Sequence, residues 1–189
     1  MNYNDVFLRS ALLESIPLND GKYFFPPELS TSVILLRVGY NKKKQEFEDE
    51  MQAVLKELKK EGFDERSQAI QQMEDVDKRL KAHEEWDGNG EQPKKPSDDE
   101  LAKAEETRKT EADYRKEYAE LDESYRNART KKAEEEVTLA TDKMEYDTFK
   151  QLVGALGTAG MIPVVGIPML SEMQKQEFLQ AVCINLVKV

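Results

Sequence analysis

Residues 87–97, with the sequence DGNGEQPKKPS, separate two long helical patterns and decide how the chain is organised. This stretch contains two glycines, two prolines and no apolar side chain, which predicts a solvent-exposed turn. The segments on either side, 31–86 and 98–153, are both 56 residues long. Equal segments around a polar turn indicate that the second helix returns antiparallel along the first. At about 1.5 Å per residue, such a hairpin extends roughly 80 Å.

Apolar residues of the first arm follow a 4-3-4 spacing, which is typical of a coiled-coil stripe. The stripe consists of Leu29, Val33, Leu36, Tyr40, Phe47, Met51, Val54 and Leu58. It resumes after Gly62 with Phe63, Ile70, Met73, Val76 and Leu80. Because glycine weakens a helix, we predict a kink or short break at Gly62. In an alternative fold, the arm breaks there and its pieces form a shorter three-helix bundle.

The second arm, 98–153, carries a similar heptad frame, and we predict that it forms one continuous helix. Ser97 offers a capping hydroxyl, and Asp98, Asp99 and Glu100 favour the positive end of the helix dipole. Acidic neighbours of the tyrosines favour packing between the arms over stacking on nucleic-acid bases. The frame consists of Tyr114, Tyr118, Leu121, Tyr125, Ala128, Leu139, Tyr146, Phe149, Val153 and Leu156, with Lys132, Glu135 and Asp142 at polar positions.

Both ends of the chain differ in composition from the arms. Residues 1–30 contain a short amphipathic stretch, Ser171 can cap a last helix, and residues 183–189 are predicted to form a final strand. Both termini would meet at the open end of the hairpin. The predicted fold is therefore mainly α: a long antiparallel helical (coiled-coil) hairpin, 31–153, with its tip at 87–97. It stands on a small α(+β) base formed by 1–30 and 154–189.

The composition restricts the function class. With 35% charged and 39% hydrophobic residues, the chain suits an elongated helical protein better than a compact globule or a disordered chain. A net charge of −10 disfavours nucleic-acid partners and anionic membranes. The single cysteine, Cys183, excludes an intrachain disulfide. The N-terminus shows no basic segment followed by an apolar core, so we expect no secretory signal.

Candidate motifs for catalysis and metal binding are incomplete. Residues 87–91 begin like a calcium loop, but Gln92 replaces the required glycine and Asp98 replaces the bidentate glutamate. His83, the only histidine, is expected to be a solvated helix residue, and Cys183 a small buried apolar one. The glycine-rich stretch at 154–160 lacks the lysine of a phosphate loop. We therefore predict no enzymatic activity, no metal site and no cofactor.

Residues 151–171 form an uncharged segment close to the length of a membrane span. Four glycines and two prolines disfavour a spanning helix, so we predict a buried loop or a surface that docks a partner. The candidate docking residues are apolar and lie outside the coiled-coil seam. They are Phe24, Phe25, Met161, Ile162, Val164, Val165, Ile167 and Met169.

Two segments, MNYNDVFLRSALLESI at 1–16 and PPELSTSVILLRVGYNKKKQEFEDEMQAVLKEL at 26–58, carry a family resemblance. Together with Leu170, Ser171 and Phe178, they resemble a group of short uncharacterised tailed-bacteriophage proteins. Those proteins have a brief N-terminal helix, a loop and a long charged helix. The resemblance implies a virion or assembly component. The much longer hairpin departs from that group, and no site residue can be transferred.

The leading hypothesis is a non-enzymatic structural or assembly protein of a tailed-phage particle. It would bind other protein subunits or copies of itself, in the host-cell cytoplasm or in the virion. One alternative is an assembly or secretion chaperone or adaptor, whose acidic hairpin holds a client transiently. A second is a membrane-active protein that uses residues 151–171.

Overall fold

The computed structural model describes residues 1–16, 18, 25–158 and 172–188, with the side chains of 156–158 and 172–175 left out. This part of the chain is mainly helical, as predicted, and contains no strand longer than an isolated bridge. The helices are α1 (Tyr3–Glu14), α2 (Pro27–Leu58), α3 (Phe63–Glu84), α4 (Asp98–Arg108), α5 (Glu111–Ala133), α6 (Tyr146–Thr158) and α7 (Glu172–Leu186). The chain divides into two compact units, unit 1 (residues 1–51 and 129–189) and unit 2 (residues 52–128).

The core of unit 1 is built on the buried side of α2. Six residues of the predicted stripe are buried: Leu29, Val33, Leu36, Tyr40, Phe47 and Met51. The ring of Phe47 contacts those of Tyr3 and Phe7 on α1, at centroid distances of 5.0 and 5.1 Å. Near the other end of α1, Arg37 of α2 donates hydrogen bonds to the Leu13 carbonyl. Because these contacts run in opposite order along the two helices, α1 lies antiparallel to this part of α2.

The prediction of one continuous helix over 98–153 is wrong. α4 ends at Arg108, and residues 134–145 are not helical. The backbone of this second segment bonds to distant parts of the chain instead. The Val137 N–H donates to the Met1 carbonyl (2.8 Å), and the Met144 N–H donates to the Leu186 carbonyl (2.7 Å). These long-range bonds take the place of helical hydrogen bonds, so Leu139 fits the heptad frame without lying on a helix.

The predicted final strand over 183–189 is also wrong for most of its length. α7 continues to Leu186, and only Val187 forms a bridge, to Met144. Val182 and Leu186 lie four residues apart on one face of α7, and both are fully buried. Burial of this helical face outweighs the strand preference of the β-branched residues.

Unit 2 contains a ladder of ion pairs between α3 and the helices that follow the turn. Along the ladder, the residue numbers fall in α3 as they rise through α4 and α5. The pairs are Arg79–Glu100 (2.6 Å), Asp77–Arg108 (2.7 Å), Glu74–Arg115 (3.2 Å) and Arg66–Glu117 (2.8 Å). Such an order belongs to segments that run antiparallel. The apolar core beneath it comprises Phe63, Ile70, Met73, Val76, Ala104 and Tyr114.

Local chemistry explains where the helices of unit 2 begin. Ser97 caps α4 as predicted, and together with Glu100 it forms a capping box in which Glu100 accepts from the Ser97 N–H at 2.8 Å. This bond and the one from Arg79 hold the pKa of Glu100 at about 2. At the other end of unit 2, the predicted break at Gly62 is confirmed. α2 ends at Leu58, and Gly62 has a φ of 73°, in the left-handed region that glycine tolerates best.

Replacing Gly62 with alanine is expected to destabilise the protein by about 1 kcal/mol or more, because a side chain strains a left-handed residue. A β-carbon there would also lie 2.9 Å from Nη1 of Arg66, which donates to the Glu61 carbonyl. Urea unfolding measures the change.

Gly39→Ala is the matched control. Gly39 lies inside α2 with a helical backbone, and its β-carbon would meet Leu139 at an ordinary 3.5 Å. We expect this variant to be about 0.5–1 kcal/mol more stable than the parent. Equal shifts in the same direction for both variants would contradict the role given to the backbone of Gly62.

Candidate protein-docking face

The N-terminal half of α2 is apolar on two opposite sides. Opposite the buried stripe lie Ile34, Leu35 and Val38, which are 50%, 63% and 62% exposed. At 3.6 residues per turn, these three side chains share one side of the helix and form its outer face. A helix that is hydrophobic all round is normally buried on all sides. The outer face is therefore the apolar surface that distinguishes α2 from an ordinary amphipathic helix.

Polar contacts on the other side of α2 fix its orientation. Arg37 donates to the carbonyls of Leu13 and Ile16 at the end of α1, which satisfies acceptors that a helix terminus leaves open. Burial lowers the pKa of its guanidinium, and the negative charge of Glu14 offsets part of this effect. The outer face thus points away from unit 1 on a helix that cannot easily rotate.

Tyr40 provides a second fixed point one turn further along α2. Its fully buried hydroxyl donates to the Asp142 carbonyl at 2.6 Å, and the hydroxyl oxygen accepts from Nη1 of Arg9 at 3.4 Å. Burial raises the pKa of the Tyr40 hydroxyl, so it remains a donor at neutral pH. Since Asp142 belongs to the non-helical segment 134–145, this bond ties α2 to the second half of unit 1.

The charges around the outer face differ from those of the whole chain. Between Leu29 and Gln45, α2 carries four basic residues and no acidic one, in a protein with a net charge of −10. Lys43 pairs with Glu46 at 2.6 Å, and Lys44 pairs with Glu14 at 3.1 Å. The Lys44 hydrogen bond lowers the pKa of Glu14.

One exposed charged residue brackets the outer face at each end. Lys42 and Glu28 are both exposed, and neither forms an ion pair with the residues that the structure describes. Lys42 follows the face and Glu28 precedes it. The face is therefore bounded by one charge of each sign that forms no ion pair with the described residues.

No family model, curated protein or solved structure matches this chain. Within the described ranges, no helix has the length and hydropathy that a membrane crossing needs.

The described grooves are lined by a mixture of apolar, polar and charged side chains. An open groove of about 360 Å³ between α1 and α2 is lined by Phe7, Glu14, Asn41, Lys44, Gln45 and Glu48. The described grooves of unit 2 are similarly open and carry charged side chains, and one of them has a volume of about 480 Å³. His83 lies 2.8 Å from the Pro93 carbonyl, and the described residues contain no group of three acidic, His or Cys side chains placed to hold a metal ion. Such grooves lack the apolar enclosure of most small-molecule sites.

The docking residues predicted from the sequence fall almost entirely outside the described residues. Phe25 alone is described, and it lies partly buried just before α2. The others are Phe24, Met161, Ile162, Val164, Val165, Ile167 and Met169. Their role in docking a partner stays a prediction.

Sequence reasoning missed the outer face, although the signal was present. The run Val33–Leu36 places apolar residues at four consecutive positions, which a single stripe cannot bury. Val38, within the next turn, is a further apolar residue outside the stripe. Apolar residues that fall outside a coiled-coil frame therefore indicate a second contact surface.

Proposed function

We propose that this chain is a non-enzymatic structural or assembly protein of a tailed-phage particle, which acts through protein–protein contacts. The observation that carries the proposal is the outer face of α2. Three large aliphatic side chains lie exposed on a helix whose opposite side is fully buried. Exposed apolar clusters of this kind mark interaction surfaces more often than isolated exposed residues do.

The exposed area of the outer face determines how much its burial can stabilise a complex. Each of its three side chains is about half exposed or more. Full burial of one such side chain contributes about 1.5–3 kcal/mol, so completing the burial of these three would stabilise a complex by roughly 3–5 kcal/mol. This gain from one copy of the face lies near the lower end of the cost of association. Stable binding therefore needs a partner that buries apolar surface of its own or adds charge pairs.

We propose further that 31–153, whose second arm is interrupted at 134–145, pairs as an antiparallel coiled-coil hairpin that serves as a spacer or clamp on a base of 1–30 and 154–189. The reverse order of the ion pairs in unit 2 supports antiparallel pairing of its helices. The turn at 87–97, with positive φ at Gly88 and Gly90, supports a reversal of the chain there.

Site-specific photocrosslinking in cells that produce the complete assembly tests this function. A photoreactive residue replaces Leu35, and a matched control replaces Ala11, an exposed residue of α1 in the same unit. We expect a discrete crosslinked protein from position 35 and none from position 11. Mass spectrometry of purified particles then asks whether the chain is a stoichiometric component.

The outcomes separate the alternatives. Equal or absent crosslinking at both positions would overturn the use of the outer face. A strong crosslink at position 35, with the chain absent from finished particles, would favour the assembly chaperone. A chain that is present in particles and crosslinked at position 35 is the result that the proposal requires.

A further inference from the structure

We propose that the outer face of α2 pairs with the outer face of a second copy of this chain, antiparallel, about a two-fold axis at Leu35. This inference rests on the proposed function, since it names the partner of the same face.

The spacing of three exposed residues carries the inference. Glu28, Leu35 and Lys42 are separated by seven residues each, and all three are exposed. Seven residues make almost two helical turns, with a drift of about 20° per repeat, so the three lie nearly in line. Leu35 is the midpoint of a line roughly 21 Å long, at ~1.5 Å per residue.

A two-fold axis through Leu35 gives this line a self-complementary partner. Leu35 of one copy then meets Leu35 of the other, and Glu28 of each copy lies opposite Lys42 of the other. The apolar centre, extended by Ile34 and Val38, is closed at both ends by pairs of opposite charge. Glu28 and Lys42 are available for this, because neither pairs with the described residues of its own chain.

The same charges disfavour other arrangements. A parallel pairing in register would place Glu28 against Glu28 and Lys42 against Lys42, and like charges across an interface repel. A partner of one charge sign would satisfy only one end of the line. An isologous contact, in which one patch meets itself, is the commonest basis of a two-fold dimer.

The full chain, measured by sedimentation equilibrium over a range of concentrations, is expected to change reversibly from the 21.8 kDa monomer to a dimer. Leu35→Glu should weaken the association at least about tenfold, since it places two carboxylates on the axis. Ala11→Glu, which adds the same charge at an exposed position of α1, should leave it unchanged. Circular dichroism checks that both variants keep their helices.

A charge exchange tests the antiparallel register. Glu28→Lys and Lys42→Glu should each weaken the dimer about three- to tenfold at low salt, and the double variant should restore it to within about threefold. Both positions are exposed, so the variants are expected to fold.

Specific results would overturn the proposal. These are a monomer at every concentration, a dimer that Leu35→Glu leaves intact, or a double variant no tighter than the single ones. If position 35 crosslinks only to a different protein in the complete assembly, the second copy is wrong as the partner while the proposed function stands.

Discussion

Phe47→Ala is expected to destabilise unit 1 by about 3–5 kcal/mol, the range for a large aromatic side chain removed from a core. The Phe47 ring is fully buried between the rings of Tyr3 and Phe7. The guanidinium of Arg129 lies over the same ring, 4.8 Å from its centroid. The substitution therefore removes two aromatic contacts and a cation–π contact together, and leaves a cavity between α1 and α2.

Urea unfolding and amide hydrogen exchange in α1 measure this loss. Tyr146→Ala is the matched control in the same unit, because the Tyr146 side chain is more than half exposed. Its expected cost is within about 0.5–1 kcal/mol. A loss below about 1 kcal/mol for Phe47→Ala would mean that α1 does not pack on α2 through this ring.

Phe63→Ala is expected to have a similar effect on unit 2, about 3–5 kcal/mol. Phe63 begins α3, and its buried ring lies 5.5 Å from that of Tyr114 and 6.5 Å from that of Tyr118. The core of unit 2 is small, so one aromatic side chain makes up a large share of its buried volume. Hydrogen exchange of the amides in α3 and α5 reports the change.

Tyr118→Ala provides the comparison within the same aromatic cluster. The Tyr118 ring is about half exposed, so its removal should cost under about 1 kcal/mol. If the two substitutions destabilise unit 2 equally, burial does not determine how much these rings contribute to stability. That result would contradict the packing of the Phe63 ring on α5.

Local signals in the sequence predict much of the helical structure. The 4-3-4 spacing identifies Leu36, Tyr40 and Phe47 as buried, because spacing alone decides which side of a helix a residue occupies. Ser97 and Glu100 identify the start of α4, and Gly62 identifies the break before α3. Each of these features depends on residues within a few positions of one another.

The errors concern contacts between distant residues. The segment 134–145 follows the heptad frame, yet its backbone bonds to Met1 and Leu186, which no local pattern reveals. The end of α7 was misjudged for the same reason. Val182 and Leu186 are buried by tertiary packing, and this overrides the strand preference of the sequence around them.

The candidate site was within reach of the sequence but was sought elsewhere. The uncharged segment 151–171 predicts docking residues at 161–169, which lie outside the described residues. Ile34, Leu35 and Val38 lie on a helix whose buried stripe already accounts for the apolar residues Val33 and Leu36. An amphipathic pattern accounts for one side of a helix, so apolar residues on the other side need a separate explanation.

The division of the chain has a consequence for its synthesis on the ribosome. Unit 2 is one continuous stretch, 52–128, whereas unit 1 joins residues 1–51 to residues 129–189. Contacts such as those of Arg9 and Tyr40 with Asp142 cannot form until the last third of the chain has emerged. Unit 1 therefore cannot be completed before unit 2 has emerged, although α1 can already pack on α2 through Phe47. During that interval the groups of residues 1–51 that contact 129–189 lack their partners, and incomplete packing of this kind favours aggregation of a nascent chain.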